Sequence, residues 1–211
     1  VSGSIKQRDV AVYSNSTYRL LGDLTRKNEA KIAVDTGVVI KMTRYADIFV
    51  DGGFKAVGTT SEKVVFSSAK DDNVGNPGDT NNDGNGSSPG RGDWGRIIYR
   101  ETSDDLYSEL KHVVLQFGGY YNQGMVEFVN ASPKMSYSSI TESSEYGLLF
   151  DGNSTTTVDH VEISNVDRDP LAMSLKSDPQ FSNITFSGEG SRGIRILEGD
   201  LSSDATLKQR D

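Results

Sequence analysis

Leu110-Lys-His-Val-Val-Leu115 is the first of four related segments in this chain. The other copies begin 25, 23 and 23 residues later in turn, and they are Met135-Ser-Tyr-Ser-Ser-Ile140, Val158-Asp-His-Val-Glu-Ile163 and Phe181-Ser-Asn-Ile-Thr-Phe186. Each copy has apolar or small residues at its first, fourth and sixth positions and a polar or aromatic residue at its third. Self-similarity at such a period is typical of a solenoid, in which every repeat forms one coil.

A second series of segments repeats in the same part of the chain. Gly124, Gly147, Pro170 and Gly193 each open a short apolar segment, and they are spaced 23 residues apart. The apolar segments are rich in β-branched and aromatic residues, and Gly, Asn, Ser and Asp, which favour turns, separate them. A helical repeat would need longer uninterrupted runs of helix formers. The pattern predicts an all-β solenoid with coils of about 23 residues that stack about 4.8 Å apart.

Several short motifs occur in an order that resembles a known group of proteins. They are Tyr18–Thr25, Thr36–Met42, Gly53–Thr59, Phe66–Ser68, Gly92-Asp-Trp-Gly95 and Leu110–Gly119. The chain is similar in these motifs to secreted and cell-surface bacterial right-handed parallel β-helix proteins of the pectate-lyase-like superfamily. The resemblance implies that fold and an extracellular or bacterial cell-surface location. It implies no reaction, because the fold carries lyases, hydrolases, adhesins and inert stalks alike.

The chain divides into three predicted parts. We expect an N-terminal cap or lead-in segment over 1–30, a parallel β-helix over 31–200 with a loop insertion at 67–95, and a linker or a further module starting in 201–211. Lys-Gln-Arg-Asp occurs at residues 6–9 and again at 208–211, an offset of 202 residues. This repetition predicts a tandem array in which neighbouring modules of the same polypeptide are partners. The alternative is that a short terminal strand reuses the same sequence.

Composition excludes several classes of function. The chain has 211 residues, a net charge of −8 and no cysteine. The acidic balance argues against nucleic acid as a partner and is compatible with cations. The absence of cysteine excludes a disulfide framework, a cysteine metal site and a thiol nucleophile. No apolar run approaches the roughly 20 residues that span a bilayer, so we expect no membrane insertion.

A long loop rich in Asp, Asn and Gly contains a candidate calcium site. Asp79-Thr-Asn-Asn-Asp-Gly84 reproduces the first half of an EF-hand-like loop, in which oxygens at alternate positions surround a hard cation. The twelfth position is Gly90 and not Glu, so the closing ligand must come from Asp71, Asp72 or Asp93. We predict structural calcium held by Asp71, Asp79, Asn81, Asp83, Asn85 and Asp93. A solvated loop of turn-forming residues is the alternative interpretation.

Three further groups of residues are weaker candidates for a functional site than the acidic loop. His112 and His160 are the only histidines, and they share their repeat position with Tyr137 and Asn183, which favours a polar ladder over a catalytic base. Arg91-Gly-Asp93 matches the integrin tripeptide but overlaps the Gly-Asp-Trp-Gly motif. Tyr120, Tyr121 and Trp94 are expected to be exposed and are candidates for stacking on sugar rings, although they could equally close the ends of strands.

The function predicted from these observations is a non-catalytic structural or adhesive module, stabilised by calcium. A second predicted class of partner is a polysaccharide or a ligand on a host or cell surface. The alternative is a polysaccharide lyase or glycoside hydrolase, which would need paired carboxylates or a basic residue beside calcium. We predict no catalytic residue, because spacing singles out no pair among Asp104, Asp105, Glu109, Glu127, Glu142, Glu145 and Glu162.

Overall fold

The computed structural model describes residues 2–5, 17–26, 30–188, 193–199 and 206–207. These residues contain β-strands and no helix. The strands are β1 (Ser2–Ile5), β2 (Thr17–Leu20), β3 (Leu24–Arg26), β4 (Lys31–Val34), β5 (Val39–Met42), β6 (Ile48–Val50), β7 (Gly53–Val57), β8 (Val64–Ser68), β9 (Ile97–Tyr99), β10 (Glu109–Lys111), β11 (Val113–Gln116), β12 (Gly124–Val129), β13 (Lys134–Ser143), β14 (Tyr146–Asp151), β15 (Thr157–Val166), β16 (Leu171–Met173), β17 (Gln180–Ser187) and β18 (Ile194–Ile196). The predicted all-β class is confirmed.

The strands stack in parallel along three faces of a solenoid. Face 1 contains β1, β4, β7, β10 and the first halves of β13, β15 and β17. Face 2 contains β2, β5, β8, β11 and the second halves of the same three long strands. Face 3 contains β3, β6, β9, β12, β14, β16 and β18. Successive strands therefore form seven coils: β1–β3, β4–β6, β7–β9, β10–β12, β13–β14, β15–β16 and β17–β18.

The pairing register confirms the first repeat series. Leu110 pairs with Met135, Met135 with Val158, and Val158 with Phe181. These residues point inward and stack upon one another, because each coil repeats the same alternation of inward and outward side chains.

The second series is confirmed except at its first step. Gly147, Pro170 and Gly193 keep the predicted spacing, since Leu148 pairs with Leu171 and Leu171 with Ile194. The predicted alignment of Gly124 with Gly147 is wrong by one residue, because Gly124 pairs with Tyr146. This register places Phe128 directly beside Phe150, with ring centroids 5.2 Å apart. Stacking of two fully buried rings accounts for the one-residue difference.

The core is a continuous column of apolar side chains inside the coils. An aromatic stack runs through its middle, where the Tyr99 and Phe128 centroids lie 5.6 Å apart and Phe150 meets the edge of Phe181. Tyr99, Phe128 and Phe150 are fully buried. Burial of each such ring stabilises the fold by roughly 1.5–3 kcal/mol, so coil-to-coil packing is a main source of stability.

The corner between face 1 and face 2 is a ladder of left-handed residues. His112, Tyr137, His160 and Asn183 have φ angles of 49°, 50°, 51° and 53°. The Tyr137 ring stacks on His112 at 5.2 Å and on His160 at 4.7 Å, and Asn183 Nδ2 lies 3.4 Å from His160 Nδ1. The predicted polar ladder is confirmed. Stacking between coils offsets the conformational cost of φ values that L-residues rarely adopt.

The described parts of the predicted N-terminal segment 1–30 form the first coil. β1 pairs with β4, β2 with β5 and β3 with β6. The segments 6–16 and 27–29 lie outside the described residues, as do both copies of Lys-Gln-Arg-Asp. The predicted tandem joint in 201–211 therefore stays a prediction.

Candidate functional site

The acidic loop, residues 69–96, connects β8 to β9. Ser67 and Ser68, which the predicted insertion included, belong to β8. Lys41 on β5 fastens the loop to face 2, because its fully buried ammonium donates hydrogen bonds to the carbonyl oxygens of Asp71 and Gly78. Burial lowers the pKa of Lys41, and the charges of Asp71, Asp72 and Asp79 oppose that shift. Sequence patterns did not indicate this role, since Lys41 lies in an otherwise apolar strand.

The loop also reaches the first coil. Thr17 Oγ1 accepts a hydrogen bond from the Asn76 amide at 2.8 Å, and Arg19 donates to the carbonyl of Thr80 at 3.0 Å. Both partners lie on β2, on the N-terminal side of the coil that carries the loop. The loop therefore bonds to coils that precede it in the chain.

Arg91 extends the loop in the opposite direction. Its Nε donates to Glu142 on β13 at 2.8 Å, and its Nη1 forms an ion pair with Asp167 after β15. These hydrogen bonds raise the pKa of Arg91 above its usual range. The loop therefore contacts coils from the first to the sixth. The arginine of Arg91-Gly-Asp93 is engaged with the solenoid itself.

Trp94 anchors the end of the loop in the core. The side chain is fully buried, and its Nε1 donates to the carbonyl of Gln116 at 2.8 Å. The indole occupies the space beside Gly118, where an added Cβ would lie 2.6 Å from the ring. The prediction that Trp94 is exposed for sugar stacking is wrong. The Gly-Asp-Trp-Gly motif therefore carries a ring that is buried in the core beside Gly118.

Two predicted metal ligands bind the solenoid instead. Asp71 is buried and accepts hydrogen bonds from Ser67 at 2.5 Å and Gln116 at 2.7 Å. Asp93 accepts hydrogen bonds from Ser68, from Lys70 and from the Gly90 amide. Both carboxylates therefore fix the base of the loop, and neither belongs to the group of acids at its outer part.

The acidic triad is Asp72, Asp79 and Asp83, which bring one carboxylate oxygen each to within 4.8 Å of the others. Asp79 accepts the amides of Asn82 at 2.6 Å and Gly84 at 2.9 Å. These bonds, the Gly84 bond first, lower the pKa of Asp79 and keep it ionised. The turn matches the predicted spacing, and Asp72 supplies the third carboxylate among the three closing candidates.

Two buried side-chain oxygens in or near the acidic triad accept no hydrogen bond from the described residues. Asn81 donates to Asp83 at 3.0 Å and to Ser87 at 2.9 Å, while Asn85 is exposed. Oδ1 of Asn81 and Oδ1 of Asp72 are buried and accept no hydrogen bond from the described residues. Buried oxygens without donors cost free energy, and a hard cation would satisfy them. The three carboxylates and the amide oxygen of Asn81 form a donor set that suits calcium.

The acids considered for catalysis are engaged between coils or with the loop. Their partners are Lys31 for Asp104, Ser132 for Asp105, Lys55 for Glu109, Arg96 for Glu127, Arg91 for Glu142, Arg168 for Glu145 and Ser187 for Glu162. Glu127 is buried on the outer side of face 3, and burial raises its pKa to about 7 although Arg96 opposes the shift. The arrangement covers this carboxyl with Arg96 at 2.5 Å.

A cluster of exposed tyrosines lies at the corner between face 2 and face 3. The tyrosine cluster consists of Tyr45, Tyr120 and Tyr121, with exposed fractions of 45%, 38% and 72%. Centroids of Tyr45 and Tyr120 lie 4.6 Å apart, and the Arg44 guanidinium lies 4.6 Å from the Tyr45 ring. Tyr45 was missed from the sequence, because only the coil register brings it to Tyr120.

Comparison of the chain with known protein families, with curated proteins and with solved structures finds no match. The parallel β-solenoid is established by the strand pairing alone. Within the described residues, nothing helical has the length and apolar character needed to cross a membrane.

Proposed function

We propose that this chain is a non-catalytic structural module of a bacterial extracellular or surface protein, which spaces its neighbouring modules. The observation that carries the proposal is the acidic loop, whose polar contacts extend from coil 1 to coil 6. A loop fixed over six coils restrains bending of the coil stack. Rigidity along one axis is what a spacing module needs.

The ion pairs support the same function. Arg96 with Glu127, Arg168 with Glu145 and Lys55 with Glu109 each join neighbouring coils. Carboxylates used in this way are not poised for glycosidic chemistry, which needs an acid and a base on either side of a substrate. The alternative, a polysaccharide lyase or glycoside hydrolase, would be favoured if the chain released reducing ends or unsaturated products from polysaccharides.

Calcium is the cation that we propose for the acidic triad. Asp72, Asp79, Asp83 and Asn81 would hold the ion and fix the outer part of the loop, since all offer oxygen ligands. The Lys41 ammonium lies beneath the loop, and one ammonium does not balance three carboxylates. The proposed function of the ion is structural.

A calcium titration of thermal unfolding tests this proposal. We expect millimolar calcium to raise the Tm by about 5–10 °C relative to EDTA, because the ion binds only the folded loop. The double variant Asp79→Asn/Asp83→Asn should lose that difference. Asp151→Asn, an exposed Asp on β14, is the matched control and should keep it. An identical Tm with calcium and EDTA, without heat of calcium binding, would rule out the site.

A second candidate function is contact with a carbohydrate, which the tyrosine cluster favours. Tyr120 and Tyr121 present exposed rings 6.0 Å apart, and such rings stack on the apolar faces of sugars. Binding to a glycan array, lost in Tyr121→Ala, would support this function. Tyr137→Ala is the control, because Tyr137 is also exposed, at 45% against 72% for Tyr121, but belongs to the corner ladder. Equal loss in both variants, or no binding by the native chain, would contradict it.

A further inference from the structure

The seventh coil presents an apolar end. β17 pairs with β15 and β18 pairs with β16, and no described residue pairs with their other edges. Ile194 and Ile196 are 37% and 39% exposed, whereas their counterparts Leu171 and Met173 in the preceding coil are nearly fully buried. Exposed strand edges over apolar side chains are unfavourable in a solenoid, and a further coil or a cap normally covers them.

The first coil has the complementary geometry. β1, β2 and β3 pair with β4, β5 and β6 through one edge, so their other edges face away from the coil stack. Because every pair in the stack is parallel, a first coil can stack on a seventh coil without reversal of strand direction. Such contact joins two different surfaces of one module and is heterologous.

The inward columns match at this joint. Register places Tyr18 at one end and Phe186 at the other end of the column Tyr18, Ile40, Phe66, Leu115, Ile140, Ile163 and Phe186. A face 3 column likewise begins at Leu24 and ends at Ile194, through Ile48, Ile97, Val126, Leu148 and Leu171. Stacking coil 1 on coil 7 therefore sets Tyr18 on Phe186 and Leu24 on Ile194, apolar against apolar.

The repeated sequence gives the spacing of the joint. Leu207 precedes the second Lys-Gln-Arg-Asp as Ile5 precedes the first. Ile5 pairs with Val34 in the column that ends at Phe181, and Leu207 follows Phe181 by 26 residues. Spacing in this column is 29 residues from Ile5 to Val34 and 22 from Val34 to Ala56. By its spacing in the sequence, Leu207 is the residue at which the first strand of an eighth coil would lie. Its side chain is 68% exposed.

We propose that coil 7 binds coil 1 of a second copy that continues the same polypeptide from Leu207, so that one solenoid runs through the joint. The inference rests on the proposed function as a spacing module and names the partner surface. β1 of the second copy would pair with β17, and its β3 would pair with β18. Two copies then form a single rod in place of two bodies on a flexible linker.

A two-copy chain tests the proposal, with residues 1–206 followed by residues 5–211. We expect one cooperative melting transition, raised by roughly 5 °C or more over the single copy, because the joint buries two apolar ends. Small-angle scattering should give a stiff rod of about fourteen coils, roughly 67 Å at about 4.8 Å per coil. A single-copy Tm with scattering from two independently moving bodies would overturn the proposal.

Ile194→Asp provides a variant with an internal control. Placed in the first copy, it puts a carboxylate into the joint, and we expect the Tm of the two-copy chain to fall to the single-copy value. Placed in the second copy, where coil 7 has no successor, it should change the Tm little. Equal effects at both places would refute the joint. Small-angle scattering of a single copy is independent of the joint. A rigid seven-coil rod in the single copy, together with two independently moving bodies in the two-copy chain, would refute the joint and leave the proposed spacing function standing.

Discussion

Coils 4 to 7 and coils 1 to 3 keep their strands together in different ways. In the later coils equivalent residues recur every 22 to 25 residues, and rings stack from coil to coil both in the core and at the corner. In the earlier coils the same column has spacings of 29 and 22 residues. There the acidic loop accepts hydrogen bonds from Lys41 and Arg19 and donates one to Thr17. Regular spacing lets equivalent side chains stack from coil to coil. Where the spacing is irregular, hydrogen bonds with the acidic loop hold neighbouring coils together.

Among the substitutions that test this comparison, Phe128→Ala should lower the free energy of unfolding the most. The ring lies between Tyr99 at 5.6 Å and Phe150 at 5.2 Å and is fully buried. We expect a loss of about 3–5 kcal/mol in the free energy of unfolding, measured by urea denaturation, because truncation leaves a cavity within a stack. Leu106→Ala, fully exposed, is the control for substitution alone.

Phe54→Ala in coil 3 sharpens the same comparison. Phe54 is as buried as Phe128, but its aromatic neighbours lie farther away, with Phe66 tilted at 6.3 Å and Tyr99 edge-on at 6.4 Å. We expect Phe54→Ala to cost less than Phe128→Ala by roughly 1 kcal/mol, because dispersion attraction between rings falls steeply with their separation. Equal or reversed losses would show that stacking does not distinguish the two regions.

Glu127→Gln should have a pH-dependent effect of the next magnitude. Burial raises the pKa of Glu127 from 4.5 to about 7. Since the folded value exceeds the ordinary one, ionisation destabilises the fold as pH rises from about 4.5 to 7, and glutamine removes this penalty. Relative to the native chain, the variant should gain roughly 3 kcal/mol in unfolding free energy between pH 4 and pH 8.

Urea denaturation of both chains at the two pH values measures this gain. Glu62→Gln, on the exposed surface, removes a carboxylate without removing a buried one and is the matched control. A constant difference between native and Glu127→Gln chains across this range would contradict the assignment.

Lys41→Met should have the smallest effect, and a local one. The substitution keeps the apolar stem and removes the ammonium, so the carbonyls of Asp71 and Gly78 lose their buried donor at a cost of about 1–3 kcal/mol. We expect faster hydrogen exchange over residues 69–83 and unchanged protection in β13 and β15. Lys55→Met, which breaks an exposed pair with Glu109, should leave exchange in the loop unaltered. Equal acceleration across all coils would mean that the loop is not a separate unit.

The sequence predicted those parts of the fold that depend on a regular repeat or on a short local turn. The columns through Leu110 and through His112 followed from local patterns, because a fixed spacing determines which residues stack. The spacing of Asp79 and Asp83 likewise predicted two members of the acidic triad, since a turn of this kind is formed within six residues.

Contacts between distant segments could not be predicted. Arg91 meets Asp167 across 76 residues, and Tyr45 meets Tyr120 across 75, because the coil stack and not the local sequence brings them together. Trp94 was expected to be exposed, and its burial depends on the space beside Gly118, which is distant in sequence. The register of Gly124 depended on the packing of Phe128 against Phe150, which no repeat length encodes.

The contacts of the acidic loop depend on the number of coils between the loop and β15. Arg91 engages Glu142 and Asp167 at fixed heights above the loop's own coil. Each added coil lengthens the stack by about 4.8 Å, so a coil duplicated between β11 and β13 would carry both carboxylates beyond the guanidinium. A chain that gains or loses a repeat in this region would therefore lose both Arg91 contacts unless the loop changes length with it. Coils added after Asp167 would leave the Arg91 contacts unchanged.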